Sequence, residues 1–408
     1  MAGHFIRHVV PSPVTDTAAN VIAQAIFDAG VTVLTYVPAT GGQAAYTRFC
    51  QLSPQQQPLS FHEEVAYTIA HGAALTGRRS CTMMKGHGLA KAGNSVVDSL
   101  FAGVTAGLVL VILEDPGGRH SDSILDSSLL LDGMGVPYRR ARIERIYEDI
   151  LESFAQSERM ELPCAIIVNT DEMYVHVSYT PQDLLPSPCS FTRNITSHIL
   201  CPAFAAYQEA LLKAKKTDKK WDAIAKPNIP FLPDALCAQW QPAIRRYMPL
   251  FSCFREIRGA VVTADTGITS LFACPPFDCI DITTYMGGSI PLAIGAYLAG
   301  HPSVWAVTGD FSFIAAGHLG LLEAIGRNIP LKVLIFCNDQ AETTGGQPIP
   351  EGTLERILRS YQAYTRYIRL PGDEKEVETA LRDAEAANTL AIVVADYRNE
   401  TRKQESHV

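Results

Sequence analysis

Apolar positions along the chain recur with two periods, and the two periods alternate. From Thr15 to Ala29 the apolar residues Val21, Ile22, Ala25, Ile26 and Phe27 keep a helical spacing that ends at Gly30. Val31 to Val37 follows as a short β-branched run stopped by Pro38, which predicts a strand. Glu64 to Leu75 reads as a helix, Ser80 to Met84 as a strand and Asn94 to Ala106 as a helix. Leu108 to Leu113 and Cys164 to Val168 are apolar at every position. Strands that are apolar throughout and separated by helices predict a parallel sheet covered on both faces. The alternation resumes at Gly259-Ala-Val-Val-Thr-Ala-Asp265 and continues through Val304–Val307, Lys332–Phe336 and Ala391–Ala395. The fold class is therefore α/β, with two doubly wound parallel-sheet domains.

Between the two alternating regions the composition changes. Prolines at 181, 186, 188, 202, 227, 230 and 233 surround a lysine-rich helical stretch, Leu211 to Lys220. The expected organisation is a first domain over residues 1–180, a solvated linker over 181–235 and a second domain over 236–408. The polar segment Asn399–Val408 is expected to fray.

Composition then excludes function classes. Charged residues are 19% of the 408, and the formal charge is −8. A basic nucleic-acid-binding surface and a disordered, highly charged chain are both disfavoured. The longest apolar run, Leu100 to Leu113, is interrupted by two glycines and is shorter than the roughly 18–20 residues a membrane span needs. No signal peptide is evident at the N-terminus. The ten cysteines form no CxxC pair and no cluster-binding run. Scattered through apolar segments, they read as buried free thiols of a soluble, cytoplasmic protein.

The strongest chemical signal is Gly309-Asp310-Phe311, then 26 residues, then Asn338-Asp339. Each half ends a predicted strand, so both fall on one edge of the sheet, where doubly wound folds bind ligands. An aspartate, an asparagine and a nearby backbone carbonyl make a hard oxygen site suited to Mg²⁺, which completes its shell with phosphate and water. The turn Asp265-Thr266-Gly267 ends a further strand and can offer N–H groups to the same diphosphate.

This pattern resembles the diphosphate-binding motif of thiamine diphosphate (ThDP) enzymes, with Phe311 in place of a third glycine and Asp339 in place of a second asparagine. Within that superfamily the chain is similar to the large subunit of indolepyruvate:ferredoxin oxidoreductase and to phosphonopyruvate and sulfopyruvate decarboxylases. The similarity extends to Asp281–Ser289, Thr343–Pro348, His62–Ala66, Met84–Leu89 and Asp115–Ser121. It implies a pyrimidine-binding domain at 1–180 and a diphosphate-binding domain at 236–408. It also implies ThDP and Mg²⁺ as cofactors, with Asp310, Asn338 and the Gln340 carbonyl as metal ligands. Gly309, Phe311, Asp265, Thr266 and Gly267 would line the diphosphate end, and Thr40 would stand beside the reacting centre. Glu63 would serve the aminopyrimidine ring, while its neighbour Glu64 points to solvent. Met286 would prop the cofactor into a bent shape, and the Thr284 carbonyl would face the ring's amine. Lys85, His87 and His120 become candidates to bind a carboxylate or carry a proton.

The expected reaction is non-oxidative decarboxylation of a 2-oxo acid to an aldehyde, because no cysteine-rich cluster domain follows residue 408. The alternatives are the catalytic subunit of a 2-oxo acid:ferredoxin oxidoreductase with a separate iron–sulfur partner, a ThDP-dependent carboligase, and a cofactor-binding protein without chemistry. The resemblance also implies a homodimer or homotetramer with the site at the subunit interface.

Overall fold

The computed structural model describes residues 12–182, 189–217, 221–236, 238 and 240–398. In the N-terminal half the strands are β1 (Val14–Thr17), β2 (Val33–Tyr36), β3 (Ser80–Lys85), β4 (Leu108–Glu114), β5 (Tyr138–Arg140), β6 (Cys164–Asn169) and β7 (His176–Tyr179). Five of them form a parallel sheet in the order β2-β3-β4-β6-β5. β4 is buried along its whole length, which is why its sequence shows no polar alternation. One face is covered by the helices Ala18–Asp28 and Ile146–Met160, the other by Glu63–Leu75 and Gly93–Ala102.

The C-terminal half continues with β8 (Val261–Ala264), β9 (Ile282–Thr283), β10 (Val304–Gly309), β11 (Lys332–Cys337), β12 (Gln340–Ala341), β13 (Gln347–Pro348), β14 (Thr365–Ile368) and β15 (Ala391–Asp396). Six of these strands make a second parallel sheet in the order β14-β15-β11-β10-β8-β9. The chain leaves β8 toward β9 and then crosses back to place β10 on the other side of β8. That reversal opens a crevice between the carboxyl ends of β8 and β10. Residues 265–267 follow β8, and Gly309 ends β10 with Asp310 directly after it.

The two halves share one core. Val33, Val65, Ile69 and Ala73 pack in a single cluster with Ile290, Leu292, Ala293 and Val261. The helix Glu63–Leu75 crosses the helix Ser289–Leu298 so closely that a Cβ on Gly72 would lie 2.3 Å from the Leu292 carbonyl oxygen. A Cβ on Gly295 would lie 2.1 Å from the Ile69 oxygen. Only glycine at both positions permits this crossing.

Several elements differ from the sequence expectation. β1 and β7 pair as an antiparallel ribbon, and the short edge strands β5, β9 and β14 carry too few residues to show a period. The linker region is packed rather than solvated. Ile195, Ile199, Phe204 and Leu232 join the C-terminal core, and Leu212 of the helix Ala205–Lys216 joins the N-terminal one. Lys215 is buried against Glu161 at 2.9 Å. Arg78 and Arg79 are both engaged. Arg79 grips Glu158 with two bonds of 2.6 and 2.8 Å, and Arg78 donates to the Ala299 carbonyl. The nine described cysteines are free thiols; Cys237 and the segment 399–408 lie outside the described residues. Among the described residues no helix is long and apolar enough to cross a membrane.

The helix crossing yields a stability test. Alanine normally stabilises a helix interior over glycine by about 0.5–1 kcal/mol. In Gly72→Ala the added methyl meets backbone, and overpacking of this kind costs about 1–3 kcal/mol. The variant should unfold at lower denaturant concentration than the parent; a higher midpoint would show that the two helices separate freely.

Candidate active site

The crevice predicted by strand order holds a cavity of about 200 Å³. Thr266 and Gly267 line it from the end of β8, Gly309, Asp310 and Phe311 from the end of β10, and Asn338 and Gln340 from the end of β11. Gly267 has φ +105°, a conformation closed to L side chains, and a Cβ on Gly309 would meet nothing within 4 Å. Open space at Gly309 beside a helix start is room for a diphosphate to approach the backbone.

Asp310 is the centre of this end. Its Oδ1 accepts from the Phe311 N–H at 2.8 Å, and its Oδ2 accepts from the Asn338 and Asp339 N–H groups at 2.9 and 2.7 Å. Burial pushes its carboxyl up to about 6, and these three N–H groups pull the other way. Asn338 Oδ1 accepts from the Gln340 N–H at 3.1 Å. The oxygens of Asp310 and Asn338 suit Mg²⁺ in kind. The Asp339 side chain, with φ +55°, also stands near Asp310 and Cys337.

Asp310 opens a helix (Asp310–Ser312) that widens into a π-type turn at Phe313–Gly317 before Leu319–Gly326. Gly287, with φ +93°, is pressed onto that turn, where a Cβ would lie 2.6 Å from the Ala316 Cβ. This contact sets Met286 at the cavity wall, 40% exposed, rather than in the core. Phe311, which replaces the motif's third glycine, is likewise 42% exposed at the cavity wall.

Two expected cofactor residues sit behind the wall. Asp265 is fully buried and accepts from the Ser289 N–H at 2.8 Å, the Thr308 hydroxyl and the Gly287 N–H. It shapes the turn that carries Met286 and does not line the cavity. Thr284 is buried as well, and its hydroxyl has no hydrogen-bond partner.

The N-terminal candidates gather elsewhere, at the carboxyl edge of the first sheet. Lys85 ends β3 and donates to the His120 carbonyl at 3.1 Å, and His87 Nε2 lies 2.8 Å from Ser123 Oγ. Asp115 organises the loop that carries His120: it accepts from the N–H groups of Arg119 and His120 and from the Ser121 hydroxyl, which holds its carboxyl below the usual range. Thr40 is exposed at the end of β2. Glu63 opens its helix, packs its side chain over Gly88 and pairs with Lys91 at 2.9 Å. Its neighbour Glu64 does not face solvent. It is half-buried between the Asn94 side chain and the Ser95 backbone, and burial raises its carboxyl. His62, also half-buried, is held below its ordinary value by burial and by Lys91. None of Thr40, Glu63, Lys85, His87 and His120 lines the C-terminal cavity.

Sequence reasoning missed Tyr247 and Glu342, which do line it. Tyr247 lies on the buried face of the helix Gln241–Ile257 and reads as core, while Glu342 is a lone acid with no motif spacing. Also missed were Glu323 and Arg327, a buried pair at 3.0 Å. Glu323 accepts from the Phe61 N–H and the Ser60 hydroxyl, and Arg327 donates to the Pro58 carbonyl, so this pair fixes the segment that leads into Glu63.

Asp265 carries a pH prediction. Burial pushes its carboxyl from 3.8 to about 6, so the folded protein holds a proton that the unfolded chain releases. Between about pH 4 and 6 the folded state binds more protons, and this residue's contribution to stability falls as pH rises through that window. Asp265→Asn should flatten the fall in unfolding free energy over that range; curves parallel to the parent's would show that Asp265 does not titrate there.

Residues 266–394 match the family described as thiamine pyrophosphate enzyme, C-terminal TPP binding domain. The chain is also similar to indolepyruvate oxidoreductase subunit IorA of Archaeoglobus fulgidus, 28% identical over 34% of this chain and 24% of that protein. With IorA of Methanothermobacter thermautotrophicus it is 31% identical over 42% of this chain and 30% of that protein. The matched stretch therefore spans less than a third of either relative. Among solved structures, benzoylformate decarboxylase from Polynucleobacter necessarius superposes with a TM-score of 0.63 at 12% identity, covering 93% of this chain and 98% of that one. The thiamine diphosphate-dependent 4-hydroxybenzoylformate decarboxylase of Rhodococcus jostii RHA1 gives 0.64 at 13% identity, covering 93% and 98%. At such identities the likeness is one of fold. Residues 266–394 are thus similar to the C-terminal TPP binding domain of thiamine pyrophosphate enzymes, and the chain shares its two-domain fold with a solved thiamine diphosphate-dependent decarboxylase.

Proposed function

We propose that the protein is a Mg²⁺- and ThDP-dependent enzyme that decarboxylates a 2-oxo acid without oxidation and releases an aldehyde. The observation that carries this reading is the cavity at the strand-order reversal, where open backbone at Gly309 adjoins the oxygens of Asp310 and Asn338. These residues fit a diphosphate and its metal. When bound, ThDP supplies the nucleophilic carbon and the electron sink that make loss of CO₂ feasible. Asp310, Asn338 and the Gln340 carbonyl would hold Mg²⁺; Thr266, Gly267 and Gly309 would cradle the diphosphate. Glu63 would hold the proton at the aminopyrimidine end. Lys85 would bind the substrate carboxylate, and His87 or His120 would deliver the final proton.

The cavity is lined by residues 247–344 alone, whereas Glu63, Lys85, His87 and His120 gather on the other domain. We therefore propose that a second copy completes each site, giving a homodimer or larger assembly. The exposed apolar residues Phe61 (73% exposed) and Leu59, just before Glu63, and Leu322, close to that segment in the fold, support such an interface.

A second reading, the catalytic subunit of a 2-oxo acid oxidoreductase with a separate iron–sulfur partner, is favoured by the indolepyruvate oxidoreductase relatives. The non-oxidative reading is supported by the decarboxylase neighbours, whose fold spans most of this chain. The described cysteines, dispersed as free thiols, offer no internal cluster site.

Purified protein with Mg²⁺, ThDP and a panel of 2-oxo acids should release CO₂ and aldehyde without an electron acceptor. Release only with a viologen acceptor would instead establish the oxidoreductase. Glu63→Gln should retain the cofactor yet lose at least 100-fold in turnover, and near-parental rates would remove Glu63 from its role. Phe61→Glu should shift the protein toward monomer in sedimentation and lower activity with it.

A further inference from the structure

Asn338 uses its amide nitrogen in a way that no motif spacing reveals. Its Nδ2 donates to the Tyr247 hydroxyl at 3.0 Å and to Glu342 Oε2 at 3.2 Å. Tyr247 in turn donates to Glu342 Oε2 at 2.9 Å, and Arg246 holds the other carboxylate oxygen at 3.2 Å. Tyr247 is 2% exposed, and its one hydroxyl hydrogen is given to Glu342. A carboxamide has one donor end and one acceptor end. With both N–H bonds taken by Tyr247 and Glu342, the amide cannot turn over without setting its oxygen against the partly buried Glu342 carboxylate. Its Oδ1 is thereby held on the opposite side of the amide, where its protein partner is the Gln340 N–H.

The same contacts join three pieces of chain. Tyr247 belongs to the helix Gln241–Ile257, Asn338 follows β11, and Glu342 follows β12 in the β12–β13 hairpin beside the cavity. Glu342 thus fixes the hairpin that begins with Gln340, the expected third ligand.

We propose that Tyr247 and Glu342, supported by Arg246, are positioning residues for the metal site: they lock the Asn338 amide so that its oxygen, and not its nitrogen, is offered to the cation. This rests on the metal assignment made above. Glu342 is not itself a ligand here, since its carboxylate is already occupied by Arg246, Tyr247 and Asn338. Partners that orient a ligand typically contribute 10- to 100-fold in metal affinity.

The test is direct Mn²⁺ binding to the full chain with ThDP present, read by loss of the free-Mn²⁺ electron paramagnetic resonance signal, without turnover. Tyr247→Phe and Glu342→Gln should each weaken Mn²⁺ about tenfold or more and alter the spectrum of the bound ion, while Asp310→Ala should abolish binding. In an Asn338→Ala background, Tyr247→Phe should cause no further loss, because the effect passes through Asn338. A further tenfold loss in that background would overturn the proposal. Glu342→Gln as severe as Asp310→Ala, with Tyr247→Phe unaffected, would make Glu342 a ligand and also overturn it. Unchanged affinity in both single variants while Asp310→Ala fails would dismiss the brace and keep the metal site. Retained binding in Asp310→Ala would dismiss the metal assignment and the brace together. Thermal unfolding of each variant separates these outcomes from loss of fold.

Discussion

The carboxylate of Asp310 is cut off from water and dissolved in backbone instead. One oxygen takes two successive N–H groups from the turn after β11, and the other takes the N–H of the residue that follows it. An ionised group so deeply buried is costly unless its lone pairs are satisfied. The arrangement therefore holds the ends of β10 and β11 together, and the cavity, the helix start and the Asn338 turn all take their positions from it. It is possible because the strand order reverses beside β10 and leaves a gap on the β8 side for a ligand.

A second layer of constraints surrounds that centre. Asp265 ties the Gly287–Ser289 turn to β10, Gly287 presses the turn onto the π-type bend, and Met286 is left on the cavity wall. On the N-terminal side, the buried Glu323–Arg327 pair holds the segment before Glu63 against the helix that follows the bend. The two halves are thus locked to one another by a close helix crossing and a buried ion pair. Yet the candidate groups of the N-terminal half do not line the cavity of the C-terminal half.

Much of the framework was legible along the chain. β4, β6, β10, β11 and β15 announce themselves as continuous apolar runs because both faces of a parallel sheet are covered. The Gly309-Asp310 and Asn338 pair was readable because close backbone approach and side chains that bond the turn's own N–H groups need particular residue types at strand ends. Short edge strands were not readable, since three or four residues cannot display a period. The linker misled for a related reason: its prolines and lysines are those of a tether, but Ile195, Ile199, Phe204 and Leu212 are spaced to meet two different cores.

The amino-acid sequence alone determined the α/β class, the two sheets and the residue types at the strand ends, because each is a local consequence of burial or backbone conformation. Which of those residues reach the cavity was decided only by tertiary structure. Asp265 and Thr284 turned inward, Glu64 became half-buried, and Tyr247 and Glu342 arrived from 91 and 4 residues away from Asn338. Hydrogen-bonding partners of that kind are chosen by where helices and hairpins dock, and docking depends on packing across the whole fold, which no spacing along one chain encodes.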